Sequence, residues 1–292
     1  MKSIVVLSGK GGVGKSIITS ALAISFSKDE KIVCVDCDVD AANLSILFSS
    51  SKKKFIKKNL ISTNKKPSID NNLCVGCNEC VNACYFDALN FKDKTLKVND
   101  FGCEGCGVCE LVCKYNAIKL KKIDNAYIGF LKTKYNFKIV SAQLFPGSSG
   151  SGKVVYEVKK KAKEIEKKAN LMLIDSSAGI GCPVIASISG SDYAILVTEP
   201  SPSGFEDLKR ALKIVNHFKI KKGIIINKYD LNFGFSKKIE NFANENNVDL
   251  LYKIPFDTAF VKAITKTVSI IDYKKEYINI FNSIKEKVKK TI

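Results

Sequence analysis

The stretch "GKGGVGKS" at residues 9–16 decides the fold, because of what stands on either side of it. Before it runs a short apolar segment, "SIVVLS" at 3–8, and after it a helical pattern over 17–27. Strand, glycine loop, helix is the arrangement that turns backbone N–H groups toward a phosphate at a helix N-terminus. The spacing Gly9-x4-Gly14-Lys15-Ser16 is that of a Walker A loop. Lys15 has the reach to meet β and γ oxygens, and the Ser16 hydroxyl can ligate Mg²⁺.

Working outward, apolar β-branched runs recur at 31–36, 171–175, 193–197, 223–227 and 250–255, alternating with helical patterns over 154–169, 204–218 and 236–246. Alternating β and α predicts a doubly wound, mostly parallel sheet whose functional loops lie at the carboxyl ends of its strands. "SGFE" at 203–206 reads as a capping box. A second loop, "GSSGSGK" at 147–153, imitates Walker A but ends in Val154, which lacks the hydroxyl that Mg²⁺ needs.

The alternation breaks after about residue 50. "SSSKKKFIKKN" and "STNKKPSIDNN" read as polar loops, and "AYIGFLKTKYNFKIVSAQL" reads as two strands joined near 134–136. Between them lie Cys74, Cys77, Cys80 and Cys84, spaced C-x2-C-x2-C-x3-C. Cys103, Cys106, Cys109 and Cys113 repeat the spacing 29 residues later, and "CYFDAL" at 84–89 is echoed by "CKYNAI" at 113–118. The segment is an internal duplication inserted in the α/β chain. The expected division is an ATPase domain over 1–64 and 123–292, with the insert at 65–122.

Composition narrows the functions. The chain has 292 residues, 46% hydrophobic and 26% charged, which fits a globular core. Residues 1–12 run straight into the glycine loop with no room for a cleaved leader, and the longest uncharged stretch, 176–191, is too short to span a bilayer. A cytoplasmic location is expected, with no membrane role. Eleven cysteines in such a chain point to metal ligation rather than disulfides. The net charge of +18 comes from scattered lysines, with Arg210 the one arginine, so nucleic acid is not expected as a partner.

Lys10 adds a specific signature. "KGGVGKS" resembles the deviant Walker A of the MinD/ParA/Mrp and nitrogenase iron-protein superfamily of ATPases. The resemblance implies ATP binding and hydrolysis by a nucleotide-dependent dimer, a homodimer or a heterodimer with a paralogous ATPase. Gly11, Gly12, Val13, Gly14, Lys15 and Ser16 would hold the phosphates, and Lys10 would reach the partner's nucleotide. "VDCDVDAANL" resembles switch I, with Asp38 orienting the attacking water. "LMLIDSSAGIGCPV" resembles Walker B and switch II, with Asp175 holding Mg²⁺ through water. "INKYD" and "IPFD" supply Asn227 as adenine reader and Pro255 against the base.

The cysteine block resembles a bacterial two-cluster ferredoxin, with Tyr85 and Lys114 standing where proline usually follows the fourth cysteine. The resemblance implies two [4Fe–4S] clusters with crossed ligands: Cys74, Cys77, Cys80 and Cys113 on one, Cys103, Cys106, Cys109 and Cys84 on the other. Zinc is the alternative for such thiolates. Of the remaining cysteines, Cys34 and Cys37 are expected in the core. Cys182 stands seven residues after Asp175, where the nitrogenase iron protein places a bridging-cluster ligand. No second cysteine stands in the corresponding earlier loop, so a buried or redox-silent thiol is expected. His217 is expected at the surface, and Tyr277, Phe281, Ile284 and Val288 on the packed face of a last helix. The leading expectation is a redox ATPase serving a redox or iron–sulfur partner protein. An Mrp-like cluster carrier and a MinD/ParA-like positioning ATPase are the alternatives.

Overall fold

The computed structural model describes residues 1–48, 56–148 and 151–292. The first seven residues of "SSSKKKFIKKN", 49–55, and part of the second glycine loop therefore lie outside the described residues. In chain order the elements are β1 (Lys2–Ser8), α1 (Lys15–Phe26), β2 (Ile32–Asp36), β3 (Ile56–Ile61), β4 (Asn64–Ile69), α2 (Glu79–Asn82), β5 (Leu89–Lys92), β6 (Thr95–Val98), α3 (Val108–Val112) and β7 (Ile118–Ile123). They continue with β8 (Ala126–Lys132), β9 (Lys138–Leu144), α4 (Ser151–Ile165), β10 (Leu171–Ala178), α5 (Cys182–Ile188), β11 (Tyr193–Thr198), α6 (Pro202–His217), β12 (Lys221–Asn227), α7 (Phe233–Glu245), β13 (Asp249–Ile254), α8 (Thr258–Thr265), α9 (Ile270–Tyr273) and α10 (Tyr277–Lys289).

Two compact units result. The larger comprises Met1–Lys58, Ile128–Gln143 and Ser151–Ile292; the smaller comprises Asn59–Tyr127 and Leu144–Gly150. The main sheet has the order β13-β12-β11-β1-β10-β2-β9-β8-β3, and its ladders from β13 through β9 are all parallel. Such strands are covered on both faces, which is why "IVCVD" and "YAILVT" are buried at every position rather than alternating. β1 lies between β10 and β11, so the loop after it opens at the middle of the sheet.

Helix α1 is apolar or small almost all round and is buried from its first residue, the pattern of a helix enclosed by its neighbours. Helix α10 covers it with Tyr277, Phe281, Ile284 and Val288, all buried, as the apolar face of that segment predicts. Each such side chain contributes about 1.5–3 kcal/mol by leaving water. Lys287 of this helix is exposed and Lys289 half-buried, whereas Lys285 is buried beside the apolar face and pairs with Asp29.

Two local readings are corrected. Residues 56–61 and 64–69 are strands β3 and β4, not loops. β4 pairs antiparallel with β7 from Asn64↔Ile123 to Ile69↔Ile118, and both strands are rich in lysine because much of each stays in contact with water. The cap of α6 is Ser201, whose hydroxyl accepts from Gly204 N–H at 3.0 Å, rather than Ser203.

Within the smaller unit the 29-residue repeat is written in the backbone. Gly76 and Gly105, Asn78 and Gly107, and Asp87 and Asn116 all have positive φ, each pair 29 apart. The left-handed residues Asn78 and Gly107 open α2 and α3 at corresponding places. β5 and β6 form a hairpin turning on Asp93 and Lys94, both at positive φ, as a two-residue turn requires. Its buried cluster is small: Leu89, Leu96 and Ile118 with Cys80, bordered by Cys74, Cys84, Cys109 and Cys113.

Candidate functional site: a phosphate loop and eight cysteines

The loop after β1 is shaped by glycines at two points. Gly12 and Gly14 have φ of 81° and 91°, which a side chain resists, and a Cβ on Gly14 would stand 2.5 Å from Asn227 Nδ2. Asn227 braces the loop: its Nδ2 donates to Val13 O at 2.8 Å and its Oδ1 accepts from Lys228 N–H at 3.0 Å. The loop borders a cleft of about 440 Å³ lined by Gly11, Gly12, Gly14, Lys15, Ser16 and Asp38 among others. Val13 is buried behind it.

At the floor, Lys15 Nζ meets Asp175 Oδ1 at 2.8 Å and Ser16 Oγ at 3.2 Å, and Thr19 Oγ1 donates to the same carboxylate oxygen at 2.9 Å. Lys15 is 7% exposed and Asp175 1%. The other oxygen, Asp175 Oδ2, is buried with no partner among the described residues, as is Ser177 Oγ. A buried carboxylate oxygen left unpaired at the floor of this cleft fits a cation with its waters.

Asp36, at the end of β2, is also fully buried. Its oxygens accept from Asp38 N–H at 3.1 Å and Leu44 N–H at 2.9 Å. Burial, then the charge of Asp175, push its pKa up to about 8. Asp38 is half-buried at the cleft, and burial raises its pKa too.

Lys10 turns inward. Its Nζ lies 3.2 Å from Glu199 Oε1 and 3.1 Å from Ser203 Oγ, while Lys228 Nζ takes Glu199 Oε2 at 2.9 Å. Burial works against the Glu199 charge, but the two lysine bonds outweigh it and hold the pKa below the usual carboxylate range. Pro255 is not brought to the phosphate cleft. It lines a separate cavity of about 290 Å³ with Phe256, Asp257, Lys274, Glu276, Tyr277 and Ile280.

In the smaller unit the eight cysteines fall around two small cavities. Cys74, Cys77, Cys80 and Cys113 line one with Phe91, Leu96 and Ile118; Cys84, Cys103, Cys106 and Cys109 line the other with Phe86, Ala88 and Leu120. Each cavity thus takes three thiols from one repeat and the last from the other. Among the described residues no group of three or more His, Cys, Asp or Glu side chains is placed to hold a metal ion. Burial raises the pKa of Cys80 and Cys109, the latter to about 11, so as free thiols they keep their protons. Ala88 N–H already donates to Cys84 Sγ at 3.3 Å. A buried cluster of so few side chains is a thin core for a unit of this size, and ligation would make up the shortfall.

Cys34 and Cys37 are buried, and His217 is exposed. Cys182, expected as a buried or redox-silent thiol, is not buried but exposed, at the start of α5 between Gly181 and Pro183. Sequence reasoning missed Thr19, Glu199 and Lys228. Glu199 follows β11 directly, a strand-end position that singles it out in a parallel sheet.

Known proteins agree with this architecture. Residues 4–270 match the CobQ/CobB/MinD/ParA nucleotide binding domain. An uncharacterised protein of Methanocaldococcus jannaschii is 35% identical over 292 residues, covering 99% of this chain and 97% of its own. A second uncharacterised protein of that organism is 29% identical over 300 residues, covering 94% and 93%. Among solved structures, the septum site-determining protein MinD complexed with Mg-ADP from Pyrococcus horikoshii superposes with a TM-score of 0.60 at 20% identity. That match covers 98% of this chain and 95% of that one, and shows the shared fold. The chain is a P-loop protein with a MinD-like parallel sheet, and it belongs to the CobQ/CobB/MinD/ParA nucleotide-binding family.

Proposed function

We propose that this protein is an ATPase that couples a nucleotide-driven dimer to low-potential electron transfer through two [4Fe–4S] clusters in its smaller unit. The observation that carries the reading is the sorting of eight cysteines around two cavities, three from one repeat and one from the other, in a chain that also holds a phosphate loop. When bound, the clusters supply one-electron carriers at low potential. Closed four-cysteine sites favour retention of a cluster over delivery, which sets the carrier reading second.

The roles of the chain's own residues follow. The backbone from Gly11 to Ser16 receives the phosphates at the N-terminus of α1. Lys15 exchanges its bond to Asp175 for the β and γ oxygens while Thr19 keeps its bond to Asp175 Oδ1, and Asp175 and Ser16 would hold Mg²⁺ there, which would neutralise phosphate charge. Asp38 orients the attacking water. Lys10 leaves Glu199 and Ser203 to neutralise charge on the partner's phosphoryl group, a role of the arginine-finger kind. The cost is small, since Lys10 is 39% exposed in that pair. Asn227 is assigned to the base side after giving up its bond to Val13, and Pro255, which lines a separate cavity, is given no part in holding the nucleotide. The partner in the dimer is a second copy or a paralogue. Two relatives within one organism support the latter.

The test is anaerobic reconstitution followed by metal, sulfide and ATPase assays. About eight irons and eight sulfides per chain, four for each cubane, are expected with MgATP hydrolysis. Two zincs per chain with no sulfide would overturn the redox reading and leave the ATPase.

A further inference from the structure

We propose that Tyr85, Phe86, Val108 and Leu111, beside the cavity of Cys84, Cys103, Cys106 and Cys109, form with Asp87 and Glu104 the docking face for a one-electron carrier protein. The carrier it fits presents an apolar centre ringed by lysine or arginine. The inference rests on the cluster reading proposed above and adds the kind of partner and the side on which it binds.

The 29-residue duplication lets the two cavities be compared position by position. Val75, Glu79 and Tyr115 line the first, and their counterparts Glu104, Val108 and Phe86 line the second. Asn82, Lys114 and Asn116 beside the first correspond to Leu111, Tyr85 and Asp87 beside the second. The backbone takes the same course through both repeats, with positive φ at the same offsets, so the difference lies in side-chain chemistry.

On the first side Glu79 and Lys114 pair at 3.0 Å, Asn82 and Asn116 are exposed, and the exposed apolar residues are Val75 and Tyr115. On the second side Val108, Leu111 and Tyr85 stand in place of Glu79, Asn82 and Lys114, and all three are exposed, Leu111 at 85% and Tyr85 at 91%. The repeat folds with polar residues at these positions, so folding does not call for the apolar ones. They are also contiguous. Phe86 and Val108 line the same cavity, the Tyr85 ring meets Phe86 edge-on at 5.5 Å, and Leu111 lies one turn beyond Val108 on α3. An exposed apolar patch with aromatic residues and a polar rim marks a contact surface.

Charge selects the occupant. Asp87 and Glu104 are exposed, and the ion pairs of this unit among the described residues, Lys66–Asp100 and Lys114–Glu79, involve neither. The six positions of the first side balance one acid against one lysine, whereas those of the second hold two acids and no base. The smaller unit has nine lysines against eight acids, so the chain's charge of +18 lies almost wholly in the larger one. Exposed charges farther than about 8–10 Å are largely screened, so a basic carrier responds here to the local acids while the rest of the chain repels it.

Calorimetric titration of the oxidised, reconstituted full chain with a c-type cytochrome whose haem edge is ringed by lysines tests it, with an acidic flavodoxin as the opposite probe. The wild type is expected to bind the cytochrome, more weakly as salt rises. A variant given the other repeat's residues, Tyr85→Lys with Val108→Glu and Leu111→Asn, should bind at least about tenfold more weakly. Asp87→Asn with Glu104→Gln should weaken binding about threefold or more at low salt and flatten its salt dependence. Val75→Ser with Tyr115→Ser, on the first side, should change nothing. About eight irons per chain show that a variant has folded; if the triple variant falls short, Leu111→Asn alone and the two acid substitutions decide. Full affinity in an iron-loaded triple variant overturns the proposal, as does loss of binding in the first-side variant. So does an iron-loaded wild type that binds only the flavodoxin or neither protein. A wild type that takes up no iron and sulfide overturns the cluster reading beneath it.

Discussion

Replacing Asp175 by Asn tests the electrostatics of the phosphate cleft in two ways. Lys15 and Asp175 form a buried pair at 2.8 Å, with Thr19 on the same oxygen. Removing one charge from such a pair leaves the other uncompensated, at a cost of about 3–5 kcal/mol. For a unit of about two hundred residues that lowers Tm by about 6 °C or more. The variant also bears on Asp36, whose pKa is pushed up to about 8 by burial first and by Asp175 second. The folded chain keeps that proton to about pH 8, whereas an unfolded carboxyl releases it near pH 4. The native state then binds more protons across this window. Stability therefore falls as pH rises through it, by up to about 1.4 kcal/mol per unit, and levels off above about 8. Without the Asp175 charge the Asp36 pKa drops, and the fall between pH 6 and 8 becomes shallower. Anaerobic thermal unfolding of the nucleotide-free protein, followed by circular dichroism at several pH values, measures both effects. A Tm change below about 2 °C, or equal slopes in variant and wild type, would refute the reasoning.

Other substitutions address the remaining residues. Lys10→Ala is expected to bind a fluorescent ATP analogue normally but to lose nucleotide-dependent dimerisation, with turnover down about 10³-fold or more; light scattering and steady-state hydrolysis check this. Glu199→Gln frees Lys10 and Lys228 from a partly exposed pair worth no more than about 1 kcal/mol. The nucleotide-bound dimer should tighten up to about fivefold in sedimentation, and a weaker dimer would contradict the inward-parked state. Cys113→Ser should cost one cluster, halving iron from about eight to about four per chain with one EPR signal remaining. Cys182→Ser should leave iron unchanged.

Much of the larger unit was legible because parallel strands buried on both faces read as unbroken β-branched runs. "LMLID" at 171–175 anticipates β10, which continues three residues further through polar Ser176 and Ser177. β3 and β4 were missed because lysine-rich strands lack that signal and declare themselves only through a partner such as β7. The phosphate loop was local and therefore readable, as was the 29-residue repeat. Long-range contacts were not. Thr19 reaches Asp175 across 156 residues of chain and Lys10 reaches Glu199 across 189, and no periodicity encodes either. The exposure of Cys182 depends likewise on where Gly181 and Pro183 send the chain.

The most direct test of the coupling between nucleotide and clusters is an anaerobic redox titration of the reconstituted protein followed by EPR. It would be made without nucleotide, with MgADP and with a non-hydrolysable MgATP analogue. The account predicts that the ATP-bound state moves at least one cluster potential by about 60 mV or more, a tenfold change for a one-electron couple. Identical potentials in all three states, with nucleotide shown to be bound, would contradict it.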